Sequence, residues 1–266
     1  MAVAGPRRAI LEPSFLPQSR LIFSAFTSAP SYQRKLLINK TVASLIASGI
    51  WNKLDALGFM AAADSQAARI NWIAPGTYTL VAQNSPTFTT DRGYMGDGSS
   101  AYLKTGVDPS TTAKFQQNSG SFGLYARQVD TLGSYRRDGG SENGATSLLS
   151  LNSGSAADKI GFNNNAASGA TYYYGSNPTG LRAVNRSSSS AFDCYVAGSS
   201  VQNKVASSVA PSAYEIYLLA ANVSGSANNI SNAQISFWFV GASLSAAQHA
   251  SLNTIVNTYL AAVGAV

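Results

Sequence analysis

Charge is what this chain has least of. Only 11% of its 266 residues are Asp, Glu, Lys or Arg, against roughly 25% in an ordinary soluble domain. Ser, Thr, Asn, Ala and Gly fill the gap and leave a hydrogen-bonding surface of low charge. A hydrophobic content of 45% supplies a sizeable core. Composition therefore excludes a disordered chain, which is poor in apolar residues and rich in charge. A single cysteine, Cys194, excludes an intrachain disulfide. With one histidine, His249, it also disfavours zinc and iron–sulfur sites. No run reaches the roughly 18 apolar residues of a membrane-spanning helix. The N-terminus lacks the basic, apolar, small-residue order of a signal peptide, so folding in a reducing cytoplasm is expected.

The few charges are unevenly spread. Residues 1–57 hold seven basic residues (Arg7, Arg8, Arg20, Arg34, Lys35, Lys40 and Lys53) against Glu12 and Asp55, whereas the remainder is nearly balanced. A nucleic-acid-binding body would carry its positive patch on the folded domain. A basic leading segment instead reads as a docking arm, and no nucleic-acid partner is expected.

Residues 1–33 carry Pro6, Pro13, Pro17 and Pro30 among apolar residues such as Phe15, Phe23 and Phe26. Proline at this spacing blocks one continuous helix. The expectation is an extended arm lying on a partner or on its own body, with a disordered leader as the alternative. Arg7, Arg8, Phe15, Arg20, Phe23 and Phe26 are its candidate anchoring residues. From Ser31, Ile38, Val42, Leu45 and Ile46 repeat with the period of one helix face, and Gly49 ends it. Ile50–Leu57 reads as a second short helix. Asp64 reads as the N-cap of a third, carrying Ala67, Ala68, Ile70 and Trp72 up to Pro75-Gly76. Residues 34–75 thus form a small helical element.

Residues 76–266 change grammar. Short runs rich in Tyr, Phe, Val and Thr are cut by turn residues about every ten positions. Strands are expected at 100–105, 121–128, 146–151, 159–162, 171–174, 191–196, 214–220 and 233–240. The fold class that follows is mainly β, an antiparallel β-sandwich of jelly-roll type, with a C-terminal helix. Ser245-Ala-Ala-Gln248 is a capping-box pattern, and Leu252, Ile255, Val256, Tyr259, Leu260 and Val263 form the helix's apolar stripe.

Several segments resemble the concanavalin A/laminin-G-like jelly roll. They are Arg92–Thr105, with its Gly-x-x-x-Tyr-Leu pattern, Ser121–Arg127, the Asp193-Cys-Tyr-Val-Ala-Gly198 hairpin and Asn232–Gln248. The ordered set Gly49–Leu57, Asp64–Trp72 and Asn84–Gly93 resembles a group of tailed-bacteriophage and prophage proteins of the virion surface. That resemblance implies a virion protein assembled in the host cytoplasm: a capsid decoration or a tail- or fibre-like component, bound to other virion proteins through its arm. Homo-oligomerisation is expected, from the low surface charge and the repeating lattices of virions.

The same sandwich carries glucanases, so catalysis needs a test. Retaining glycoside cleavage uses two carboxylates about 5–5.5 Å apart, supplied in glucanases as Glu-x-Asp-x-Glu on one strand face. This chain has three glutamates, Glu12, Glu142 and Glu215, and the i±2 neighbours of Glu215 are Ala213 and Tyr217. Asp138 and Glu142 flank Gly139-Gly140 and read as a solvated loop. His249 opens a helix and reads as a surface or packing residue; Cys194 reads as a buried, inert thiol. Gly96–Ala101 matches a loose dinucleotide pattern, but a strand rather than a helix follows it, which removes the phosphate-binding helix N-terminus. No catalytic residue and no cofactor are expected. Asp91, Asp97 and Asp108 are sparse calcium candidates without the dense ligand array of a dedicated site, so no metal is expected either. Binding asks less. Asn163 and Asn165 with Tyr172 and Tyr174 offer amides and aromatic platforms for a host surface glycan, although sheet packing explains the same residues. A virion structural protein and a glycan-binding adhesin are thus the two functional readings.

Overall fold

The computed structural model describes residues 14–132, 136–144, 147–153, 159–166, 171–174 and 179–266. In chain order its elements are α1 (Pro17–Ala25), α2 (Tyr32–Ala47), β1 (Leu54–Phe59), β2 (Val81–Gln83), β3 (Thr87–Thr89), β4 (Gly93–Met95) and β5 (Tyr102–Lys104). There follow β6 (Gly120–Gln128), β7 (Arg136–Asn143), β8 (Ser147–Ser153), β9 (Lys159–Ala166), β10 (Thr171–Tyr174), β11 (Gly180–Arg186) and β12 (Ala191–Val196). The last are β13 (Ser199–Val205), β14 (Tyr217–Leu218), β15 (Ala221–Val223), β16 (Ser226–Asn228), β17 (Gln234–Gly241) and α3 (Ala246–Ala262).

The strands form two sheets. One runs β13-β12-β11-β6-β17-β4-β3, with β1 also on β17; the other runs β10-β9-β8-β7-β14-β5-β2, with β15 and β16 attached at β7. Among the described residues every strand pairing is antiparallel except β15 with β7. Phe122, Leu124, Val184 and Trp238 of the first sheet meet Leu103, Leu151 and Leu218 of the second in the sandwich core. The opposite face of the first sheet is also buried along its central strands. Tyr125, Leu181, Phe237 and Phe239 pack there against Leu45 of α2 and Leu252 and Tyr259 of α3. The molecule therefore has three layers: helices, an inner sheet and an outer sheet.

This layering explains β17. All eight of its residues are buried, because a strand covered on both faces has no solvent side on which to alternate. A bulge between Ile235 and Phe237 resets the alternation, so that Ile235, Trp238 and Val240 face the sandwich core while Phe237 and Phe239 face the helices. At its end Gly241 lets β1 pass close by: a Cβ there would lie 2.4 Å from the Lys53 carbonyl oxygen.

The helical stop signals act as read. Ser31 caps α2 by accepting the Arg34 N–H. Gly49, at φ +68°, closes it in a Schellman arrangement: the Ile50 N–H donates to the Leu45 carbonyl and the Gly49 N–H to that of Ile46. The capping box of Ser245 and Gln248 starts α3.

Three expectations fail. Ile50–Leu57 is not a helix: a single 3-10 turn at Trp51–Lys53 leads into β1. Its Leu57 and Phe59 face the helices while Ala56 faces the sandwich. Asp64 does cap backbone N–H groups, those of Gln66 and Ala67, but only one turn, Ala67–Arg69, follows. The arm is not extended where it is described. Pro17 opens α1, at the position where its missing N–H costs nothing, and Ile22 is fully buried in the helical layer.

Candidate recognition surface

Among the described residues no helix packs on the outer face of the outer sheet along β2, β5 and β14. Alternation sends Leu103 and Leu218 inward and leaves Tyr102, Lys104 and Tyr217 on the other face. Register pairs Lys104 with both Val81 and Tyr217. The rings of Tyr102 and Tyr217 pack with centroids 4.8 Å apart, Tyr102 half-buried above a buried Tyr217. The Lys104 ammonium sits 5.8 Å from the Tyr217 ring centroid and 3.9 Å from the Glu215 carboxylate, which also accepts the Gly106 N–H. Burial, followed by the charge of Glu215 and by Tyr102, pushes the Tyr217 phenol up to about 12. It is therefore neutral near pH 7. One half-buried aromatic, Tyr102, beside polar groups is what a sugar needs to stack and hydrogen-bond. Their grouping was not visible in the sequence, because Tyr102 and Tyr217 lie 115 positions apart and only the β5–β14 pairing joins them.

The predicted glycan residues fall at the far edge of the same sheet. Tyr172 pairs with Gly161 and Tyr174 with Lys159 across β10 and β9, and Asn163 pairs with Ser150. This register puts positions 163, 172 and 174 on the face turned away from core residue Leu151, which pairs with Phe162. Asn165 does not join them. It is buried, and its φ of +47° breaks the strand alternation. Its amide donates to the Gln116 and Gln117 carbonyls, so it latches a loop.

The predicted anchoring residues divide. Arg7 and Arg8 lie outside the described residues, and Arg20 is exposed. Phe15 packs edge-on against Phe23 at 5.2 Å, and Phe23 and Phe26 pack against the helical core. The three phenylalanines hold α1 to its own body. Each keeps part of its surface exposed.

The acids are engaged internally. Asp138 and Glu142 are not a solvated loop but members of β7. Asp138 forms a fully buried ion pair with Arg182 of the inner sheet at 2.7 Å and accepts the Ser231 hydroxyl at 2.6 Å. Glu142 pairs with Arg137. The Asp55 carboxylate takes the backbone N–H groups of Lys114 and Phe115. The calcium candidates are occupied likewise: Asp91 by the Arg34 guanidinium, Asp97 by the N–H groups of Ser99, Ser100 and Ala101, Asp108 by Ser110. Among the described residues no three His, Cys, Asp or Glu side chains gather as for a metal. Cys194 is buried and its thiol pushed up to about 12, chiefly by burial. His249 is buried and stacked on Tyr195 at 3.8 Å.

No family model and no curated protein matches the sequence. Solved structures do. A Trypanosoma rangeli sialidase mutant displaying trans-sialidase activity superposes with a TM-score of 0.57 at 10% identity, over 86% of this chain and 40% of that one. The receptor binding domain of botulinum neurotoxin C/D mosaic serotype superposes at 0.56 and 8%, over 77% and 52%. The serotype G binding domain does so at 0.54 and 11%, over 77% and 51%. The likeness is one of fold. It establishes the β-sandwich, and the chain spans about half the length of these proteins or less.

Proposed function

We propose that this chain is a non-catalytic recognition protein of a tailed-phage virion surface, a decoration or fibre-like component whose outer sheet meets host saccharide. The observation that carries the recognition reading is the asymmetry of the layers. The central strands of the inner sheet, β1, β6 and β17, are buried between the helices and the outer sheet, whereas the outer sheet offers Tyr102, Lys104 and Glu215, with positions 163, 172 and 174 along the same face. Fold neighbours described as a sialidase in complex with sialic acid and as toxin receptor binding domains agree with it. The non-catalytic reading is supported by acids consumed in internal bonds and by a buried His249. The virion setting rests on the ordered motifs of residues 49–93.

A glycan array tests recognition. Saccharide binding by the full chain is expected, weakened at least tenfold by Tyr102→Ala, Tyr172→Ala or Tyr174→Ala; binding indifferent to all three contradicts it. Attachment is tested by a truncation, and the structure moves its boundary. Removing residues 1–33 would strip Ile22 from the helical layer, a fully buried side chain worth about 1.5–3 kcal/mol. Removing residues 1–13 leaves α1 in place. The shorter truncation is expected to fold yet lose particle incorporation, and unchanged incorporation refutes the anchoring role.

A further inference from the structure

A solvent-open pocket of about 420 Å³ lies beside the start of α3, on the helix-facing side of β11 and β12. Register builds its floor. Asn185 of β11 pairs with Asp193 of β12, and Ala183 with Tyr195. Ala183 and Tyr195 belong to the helix-facing core, so alternation puts Asn185 and Asp193 on the same face. Lys53, just before β1, and the chain from Ser243 to Ala246 complete the wall.

The polar groups of this pocket are unevenly matched. Asn185 is only 2% exposed; its side-chain oxygen accepts the Leu244 N–H, and its amide N–H2 group has no partner among the described residues. The Tyr195 hydroxyl has none either, while its ring stacks on His249. Neither group is sealed from solvent, so both open into the pocket they line. Burial and then Asp193 raise the Tyr195 phenol, so near pH 7 it is protonated and can donate. Lys53 donates to the Ser243 carbonyl at 3.0 Å, which holds its ammonium at the pocket with donors to spare. The capping box occupies the N–H groups of Ser245 and Gln248 and leaves those of Ala246 and Ala247 without an intrahelical acceptor. Against these donors stands one carboxylate. One oxygen of Asp193 accepts the Asn203 amide, and no cation pairs with it among the described residues.

We infer that this pocket binds a small polyhydroxy carboxylate, the chemistry of a sugar acid. Lys53 and the first turn of α3 attract the carboxylate. Asn185 and Tyr195 then need acceptors, and Asp193 needs donors. A hydroxyl group supplies both, since it donates and accepts. A bare phosphate would leave Asp193 facing negative charge. An ammonium would satisfy Asp193 but only donates, which leaves Asn185 and Tyr195 unmatched. The site shares no residue with the outer-sheet surface and does not rest on it.

The test titrates the full chain by calorimetry with D-glucuronate, with D-glucose, which lacks the carboxylate, and with cyclohexanecarboxylate, which lacks the hydroxyls. One saturable site for glucuronate is expected, about tenfold tighter than either comparison compound, the scale of one charged hydrogen bond. Tyr195→Phe keeps the ring on His249, and Asn185→Asp keeps an acceptor for the Leu244 N–H. Each is expected to weaken glucuronate about threefold to tenfold, the scale of one net hydrogen bond, and Tyr102→Ala to leave it unchanged. The methyl glycoside of glucuronate separates two sources of this chemistry. Undiminished binding fits a chain-terminal residue of a polysaccharide and lost binding a free acid, and either result keeps the site. No saturable glucuronate binding, equal binding of glucose or cyclohexanecarboxylate, or tighter binding of threonine overturns the inference. So does indifference to both Asn185→Asp and Tyr195→Phe, or a loss in Tyr102→Ala alone, which returns the sugar to the outer sheet. Should Asn185→Asp fail to fold, Tyr195→Phe and the ligand comparison decide the matter.

Discussion

His249 is a buried imidazole with neither ring nitrogen partnered, stacked on Tyr195. Burial pushes its pKa from the ordinary 6.5 down to about 3. The unfolded chain therefore takes up this proton first, and stability falls as the pH drops below about 6.5. Between pH 7.5 and pH 5 the loss from this residue is about 2 kcal/mol, at roughly 1.4 kcal/mol per unit. Asp55 is raised by burial, which works in the opposite direction and offsets part of the loss, so the comparison with a His249 variant is what isolates the imidazole. Asp97 is held below the usual range by the N–H groups around it, so its contribution is lost only under more acidic conditions. Urea unfolding at the two pH values should show the loss in the native chain and little of it in His249→Phe; equal losses contradict the assignment. The burial of Cys194 was legible from its strand-like run, whereas His249 read as either a surface or a packing residue and only the structure buries it. Asp138 was not, because Gly139-Gly140 mimics a turn and its partner Arg182 lies 44 positions away.

Elements with local signals could be read directly. Ala191–Val196 is a strand over the expected residues, and the capping box fixes the start of α3. Local signals fail where tertiary burial decides. β7, Arg-Arg-Asp-Gly-Gly-Ser-Glu-Asn, holds no apolar residue yet lies inside the outer sheet, with Arg137, Asp138 and Glu142 held in ion pairs. β1 looked helical because both of its faces are covered, which hides a period of two. The β12–β13 hairpin turns on Ala197 and Gly198, both with positive φ, +48° and +79°, the geometry of a type I′ turn that favours Asn-Gly. Gly198 is fixed there, since a Cβ would lie 2.8 Å from that of Asn253. Alanine at 197 carries a left-handed strain of about 1 kcal/mol. Ala197→Asn is expected to stabilise the chain by roughly 0.5–1 kcal/mol; a lowered denaturation midpoint contradicts this.

At the scale of the whole molecule, the sandwich was legible from strand spacing, but the third layer was not. Nothing local says that α1, α2 and α3 converge on one face of one sheet. That convergence leaves two different surfaces: a helical one with Leu21, Tyr32 and Ile46 exposed, and a sheet one with Val81 exposed beside Lys104, on the strand that carries Tyr102. Hydroxyl-radical footprinting of the full chain, with and without host surface polysaccharide, distinguishes them most directly. Protection of Val81 and Tyr102, with oxidation of Leu21, Tyr32 and Ile46 unchanged, is the expected result. Protection confined to the helical surface, or none at all, would contradict recognition by the outer sheet.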